Sequence, residues 1–140
     1  MLNLLQLRFL PSSVDLGLLV LRLSSGIGLI ALHGWGKLAT YAERSQRFAD
    51  PFGIGSPASL ALAIFAEVVC AILITLGLFT RAAALVCVIN MSVAFFYAHG
   101  GRFTGERNGE LAFMYLSAFV VLLLAGAGRF SVDGRAGGRR

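Results

Sequence analysis

Residues 58–99 read ASLALAIFAEVVCAILITLGLFTRAAALVCVINMSVAFFYAH, two long apolar runs joined by the short segment Gly77-Leu78-Phe79-Thr80-Arg81. Each run approaches the roughly 20 residues that a helix needs to cross a bilayer at about 1.5 Å per residue. So short a connection makes the two helices antiparallel neighbours. The only ionisable group in the first run is Glu67, placed near its middle.

The composition outside this hairpin agrees with it. Of 140 residues, 57% are hydrophobic and 14% are charged, and the mean hydropathy is +0.80. A water-soluble domain carries roughly 25% charged residues, so lipid is the expected solvent and disorder is excluded. The pI near 10.0 and net charge of +5 do not indicate nucleic acid, because the basic residues stand singly at the ends of apolar runs.

Two further runs complete the pattern. Residues 16–38 form the first, broken by Arg22, Ser24, Ser25, His33 and Lys37, and residues 109–127 form the last. With 58–79 and 82–99 these give four predicted spans, an all-α integral membrane four-helix bundle of antiparallel up-down topology within residues 16–133. Arg22 inside the first run, with no small-residue cleavage site after it, argues for a retained span over a signal peptide. Residues 1–15 read as a cytoplasmic, interfacial segment and residues 134–140 as a basic tail. Residues 39–57, rich in charge, Gly and Pro but carrying Phe48, Phe52 and Ile54, are expected to pack at the interface.

Basic residues favour the cytoplasmic side. Arg8, Arg81, Arg129, Arg135, Arg139 and Arg140 flank one side, against Lys37, Arg44, Arg47, Arg102 and Arg107 on the other. This places both termini in the cytoplasm of a cell inner membrane, with the 39–57 and 100–108 connections outside.

Ionisable groups at bilayer depth are costly unless they are paired or hydrated, which singles out Arg22, His33, Glu67 and Glu110. A regular helix puts Arg22, Gly26, Leu29, His33, Gly36 and Lys37 on one face. The same period groups Glu67 with Cys70 and Ile74, Cys87 with Asn90, Ala94 and Tyr97, and Glu110 with Met114, Ser117 and Val121. With these stripes turned inward, a polar pocket opens near the outer side. Its candidate catalytic groups are Glu67, Glu110 and His33, and its candidate ligand-binding groups are His33, Lys37, Tyr97 and His99. Arg22 and Asn90 are expected to form a structural polar pair or to be satisfied by snorkelling. Trp35, Tyr41 and Tyr97 suit an interfacial aromatic belt.

Cys70 and Cys87 read as inert core thiols. No metal site is expected, since the two histidines and two glutamates lack Glu-x-x-His spacing. Nucleophile elbow, phosphate loop, dinucleotide fingerprint and HExxH motif do not occur, so no self-sufficient catalytic motif is legible.

The chain resembles the DoxX family of small four-helix membrane proteins. The resemblance rests on Leu21-Arg22 with Gly26, His33-Gly34 and Lys37-Leu38 in the first run, Glu67 in the second, and Leu76-Gly77-Leu78-Phe79-Thr80-Arg81 after it. Asn108-Gly109-Glu110, Gly126-Ala127-Gly128 and Ser131-Val132-Asp133 complete it. The family takes its name from a subunit associated with quinol oxidation and thiosulfate:quinone oxidoreduction. The resemblance therefore implies a redox-linked subunit with quinone as cofactor or substrate and a soluble or membrane redox partner supplying electrons. The alternatives are a non-catalytic scaffold for a soluble redox or sulfur-handling enzyme, and a small-solute carrier helped by homo-oligomerisation.

Overall fold

A computed structural model describes residues 13–136, which form helices joined by turns and loops, with no strand among them. The N-terminal interfacial segment, up to residue 12, and the last four residues of the basic tail lie outside the described residues.

Helix α1, Val14–Ala39, begins on Ser13, whose extended backbone lets its Oγ accept from the Leu16 N–H at 3.2 Å. It ends where the Thr40 hydroxyl donates to the Gly36 carbonyl. A single turn, α2 (Tyr41–Arg44), leads into a loop that returns to α3, Ser56–Leu76, which carries Pro57 in its first turn. There a proline's missing N–H costs nothing. α3 stops at Gly77, which takes a left-handed φ of 72°. The Gly77 N–H then reaches the Ile74 carbonyl, and the Leu78 N–H reaches that of Leu73. This glycine-closed ending satisfies two otherwise orphaned carbonyls.

Helix α4, Thr80–Ala98, follows after only three residues, and α5, Glu110–Ala125, after a polar turn. A last short helix, α6, covers Val132–Ala136. At 1.5 Å per residue α1, α3 and α4 extend about 39, 32 and 29 Å, enough for the ~30 Å hydrocarbon layer, whereas α5 extends about 24 Å. The helix expected over 109–127 is cut short because Gly126 adopts φ 81°, ψ −164°, a conformation essentially restricted to glycine. Among the described residues, α1, α3 and α4 are therefore the three helices long and apolar enough to cross a membrane.

Packing follows small residues. Leu29, Ile74, Ala84, Cys87, Phe119 and Leu122 form the centre of the buried cluster. A Cβ on Gly26 would collide with the Thr75 hydroxyl and come within 2.9 Å of the Ala71 carbonyl, so α1 and α3 meet backbone to backbone there. Large apolar side chains cover the outside, Leu124 being 74% and Leu32 72% exposed. Water would not tolerate this as a continuous coat, but lipid does.

The α5 stripe behaves differently from its sequence expectation. Glu110, Met114, Ser117 and Val121 point outward, and Ala112, Phe119 and Leu122 make the buried face. The Ser117 hydroxyl donates to its own helix at the Phe113 carbonyl, 2.9 Å away. A small polar group satisfied in this way has no need of the interior.

Arg22 is 1% exposed, yet it does not pair with Asn90. Its guanidinium donates to the carbonyls of Ile74 (3.4 Å), Thr75 (3.1 Å) and Phe130 (2.5 Å). Thr75 and Ile74 sit at the α3 C-terminus, where unsatisfied carbonyls carry partial negative charge, whereas Asn90 lies more than two turns along α4. The chain after α5 closes the same end. Asp133 accepts from the N–H groups of Phe79 and Thr80, at 2.9 and 2.8 Å, capping α4. Its own N–H donates to the Gly77 carbonyl. Phe79, a non-glycine residue at φ 48°, is held in that unfavourable conformation by this clasp.

Arg22→Ala would remove the guanidinium donor from the carbonyls of Thr75 and Phe130 and leave that of Ile74 with the Gly77 N–H alone. Thermal unfolding in detergent should show a loss of roughly 3 kcal/mol, and a melting temperature unchanged from wild type would contradict the clasp.

Candidate functional site

Three wide helical turns stand where the sequence predicted regular helix. Ile30–Gly34 in α1, Phe65–Cys70 in α3 and Ala94–Ala98 in α4 are π-helical, each accommodating extra chain in the spiral. Such insertions rotate everything beyond them by about 100°, one residue's worth of turn. In α1 this brings Gly34 to the α3 side and sends Gly36 out, with nothing within 4 Å of its Cβ position. A Cβ on Gly34 would lie 2.6 Å from the Glu67 carbonyl oxygen and 2.7 Å from Val68 Cγ2. Only glycine permits that approach.

One turn beyond Gly34, Lys37 reaches across. Its Nζ donates to Glu67 Oε1 at 2.6 Å and to Oε2 at 2.5 Å. From α4, Asn90 Nδ2 donates to the same Oε1 at 3.2 Å. The Glu67 side chain is 5% exposed and that of Lys37 19%. A carboxylate this deep needs a close cation and further donors, and it has both. Asn90, expected beside Arg22, is instead the second partner of Glu67.

This trio stands at the polar end of a cavity of about 490 Å³. Tyr97 and His99, at the end of α4, also line it. The walls are mostly apolar, and Phe48, Pro51 and Phe52 of the α2–α3 loop form part of them. Nothing but aromatics and turn residues distinguishes that loop in the sequence, so its place on the cavity is not legible there. Asp50 holds it in place by accepting from the Ile54 and Gly55 N–H groups and from the Ser59 hydroxyl, at 3.1, 2.8 and 2.8 Å.

Two expected members of the site lie elsewhere. His33 is half-buried, with its ring edge-on to Tyr115 at 5.7 Å, and does not line the cavity. The π-turn that brings Gly34 inward turns His33 toward α5. Its Nε2 is buried without a hydrogen-bond partner among the described residues. Glu110 is exposed at the start of α5, where Asn108 Oδ1 accepts from its backbone N–H, and it takes no part in the cluster. Cys70 and Cys87 are buried free thiols, Cys87 Sγ lying 3.4 Å from the Ala66 carbonyl. No group of three or more potential metal ligands occurs among the described residues.

The arrangement offers an uncharged balance with spare hydrogen-bonding capacity. Lys37 has a third N–H, Asn90 a second N–H and a free amide oxygen, and the Glu67 oxygens have remaining lone pairs. It can therefore donate to a carbonyl oxygen, and it holds a proton acceptor beside that donor.

Comparison with known proteins places this cluster within a recognised region. The family model described as DoxX matches residues 17–100, a stretch that contains Lys37, Glu67, Asn90, Tyr97 and His99. An uncharacterized protein of Haemophilus influenzae is 37% identical over 87 residues, spanning 59% of this chain and 64% of the relative. The chain thus covers less than two thirds of that relative's length. A second uncharacterized protein of the same organism is 30% identical over 106 residues, spanning 73% of this chain and 70% of its own. No solved structure matches.

Two outcomes follow from the geometry. Lys37→Met strands a buried carboxylate and should destabilise the protein by roughly 3–5 kcal/mol, while Lys37→Met combined with Glu67→Leu should recover most of that loss; unfolding of both variants in detergent measures it. The Ser59 hydroxyl above all, then the Gly55 N–H, holds the Asp50 carboxyl below the ordinary carboxylate range. The stability it contributes is complete above its unfolded pKa, about 3.9, and is lost as pH falls through the lower folded value. Melting curves between neutral pH and pH ~2 should show an acid-side decline that Asp50→Asn flattens.

Proposed function

The chain belongs to the DoxX family, and from that premise we propose that its four apolar helices form an up-down membrane bundle whose Lys37–Glu67–Asn90 cavity receives the head of a lipid-phase quinone. The order of residue pairs supports the bundle. Gly26 meets Ala71 and Thr75 while Gly34 meets Glu67, so α1 and α3 run oppositely. Arg81 reaches Leu123 while Phe95 packs on Phe113, so α4 and α5 do as well. The shorter α5 fits a bilayer that thins locally or a helix whose ends are completed by flanking chain.

The observation that carries the functional reading is the cavity's make-up: a mostly apolar chamber with one compact donor–acceptor cluster at its end. That is the make-up of sites for small apolar molecules with a few polar atoms. A quinone supplies two carbonyl oxygens that take up protons and electrons. Lys37 Nζ and Asn90 Nδ2 would orient one such oxygen by donating to it, and Glu67 would pass a proton at its carboxylate. Phe48, Pro51 and Phe52 would keep water from that exchange. Electrons come from a redox partner, which gives the protein the part of an accessory or oxidoreductase subunit. We place it in the cell inner membrane, with its termini cytoplasmic and the cavity toward the outer side.

Protein purified in mild detergent should carry extractable quinone in stoichiometric amount. Glu67→Gln and Lys37→Met should lose it, whereas His33→Ala, altered on the side facing Tyr115, should keep it. Absence of quinone from wild type, with a soluble enzyme still copurifying, would favour the scaffold role instead. For the topology, single cysteines at Arg44 and Arg135 should react with impermeant thiol reagents from opposite sides of sealed vesicles, and same-side labelling would reject an even number of spans.

A further inference from the structure

The walls of the cavity carry a contradiction that only lipid resolves. Leu62 and Phe65 of α3 and Ile89 of α4 line it, yet they are 56%, 46% and 54% exposed. Each therefore stands between the chamber and the outside of the α3–α4 face, where an opening would lie beside it, as Phe52 (65%) and Tyr97 (55%) do at the loop end. Leu62, Phe65 and Ile89 belong to spanning helices, so an opening beside them faces the bilayer sideways. The loop end is different, since there Phe48, Pro51 and Phe52 line the chamber, with Phe52 itself exposed, on a loop that Asp50 fastens to Ser59. The helices are cross-linked deeper in by Asn90 on Glu67 and by Cys87 on the Ala66 carbonyl, which closes the chamber toward the Gly77 turn.

The charges on the lining add a second constraint. Among the described lining residues Lys37 supplies the ammonium and Glu67 the carboxylate, they neutralise one another in a two-pronged contact, and His99 is a further ionisable group. A charged head entering beside them would bring an uncompensated charge into a low-dielectric chamber. An uncharged head could use the spare N–H groups and lone pairs without disturbing the pair.

Resting on the ligand-site reading above, we infer that the ligand enters sideways from the bilayer, through a portal between Leu62 and Phe65 on α3 and Ile89 and Val93 on α4. The same portal and cluster select an uncharged, hydrogen-bonding head that trails a hydrocarbon chain into lipid. The portal is apolar on both sides, so the chain never leaves a hydrocarbon environment. The head moves only one side-chain layer inward to meet Lys37, Glu67 and Asn90.

The test uses the full chain in phosphatidylcholine vesicles with three probes: a decyl-benzoquinone bearing a diazirine at its chain end, the same quinone ring without the chain, and radiolabelled palmitate. Photolysis should label Leu62, Phe65, Ile89 or Val93. Ile89→Trp, a change at an exposed position, should weaken the chain-bearing quinone by roughly tenfold. It should leave the chainless ring within about twofold, and Ile89→Ala should not weaken either. Palmitate should not bind wild type near neutral pH but should bind Glu67→Gln, whose cavity keeps the Lys37 charge alone.

Saturable, Glu67-dependent quinone binding with labelling confined to the 48–52 loop, or with both quinones equally weakened by Ile89→Trp, would overturn the portal and leave the ligand site standing. Palmitate binding to wild type as tightly as the decyl quinone would overturn the selection for an uncharged head. Lack of saturable binding by either quinone would remove the ligand site and the portal together.

Discussion

The Lys37–Glu67 ion pair ties α1 to α3 around a carboxylate whose side chain is 5% exposed. In hydrocarbon an isolated carboxylate or ammonium is expensive, so the pair forms only if the two helices come close enough for direct contact. Gly34 makes that possible by removing the one side chain that would hold the Glu67 backbone away. The π-turn at Ile30–Gly34 makes it geometrically available by rotating Gly34 and Lys37 onto the α3 side. Remove either feature and the pair, the Asn90 contact and the polar end of the cavity are lost together.

At the opposite end a second cation is handled by different means. Arg22 has no carboxylate in direct contact and is satisfied by main-chain carbonyls of α3 and of the chain following α5. Asp133, which could have been its counter-ion, caps α4 at Phe79 and Thr80. The helix ends thus serve as the partners, as their orphan groups and dipoles allow. One end of the molecule is stapled by backbone, and the other is left with reactive side chains around a chamber. This division gives the fold a rigid base and a site where groups remain free to bind.

Between these ends, solvent determines what can be reached. The apolar exterior is normal in a bilayer, and it includes the residues of α3 and α4 that line the cavity. The α2–α3 loop and the exposed apolar residues of α3 and α4 line the same cavity as the Lys37–Glu67 pair. The three π-turns converge on this region, consistent with the tendency of such insertions to sit where a helix is modified for binding.

Composition and hydropathy were sufficient to identify lipid as the solvent and to locate the apolar helices within two or three residues, because burial in hydrocarbon is nearly additive along the chain. Gly77 marked the turn for an equally local reason, its freedom at positive φ. Glu67, Lys37, Tyr97 and His99 were legible as interior or cavity groups because a charge, or a polar group among apolar residues, stands out in any one-dimensional reading. Their partners were not legible. A regular 3.6-residue period puts Gly36 and His33 inward and leaves Arg22 either Asn90 or snorkelling, but the wide turns rotate the chain past Gly36 and His33, and carbonyl groups invisible in a sequence captured Arg22. The place of the 48–52 loop on the cavity likewise depends on Asp50 finding Ser59. The sequence therefore determined which groups must avoid lipid, and the tertiary structure decided which of them meet, because contact depends on helix phase and backbone approach, and these are set by packing between elements.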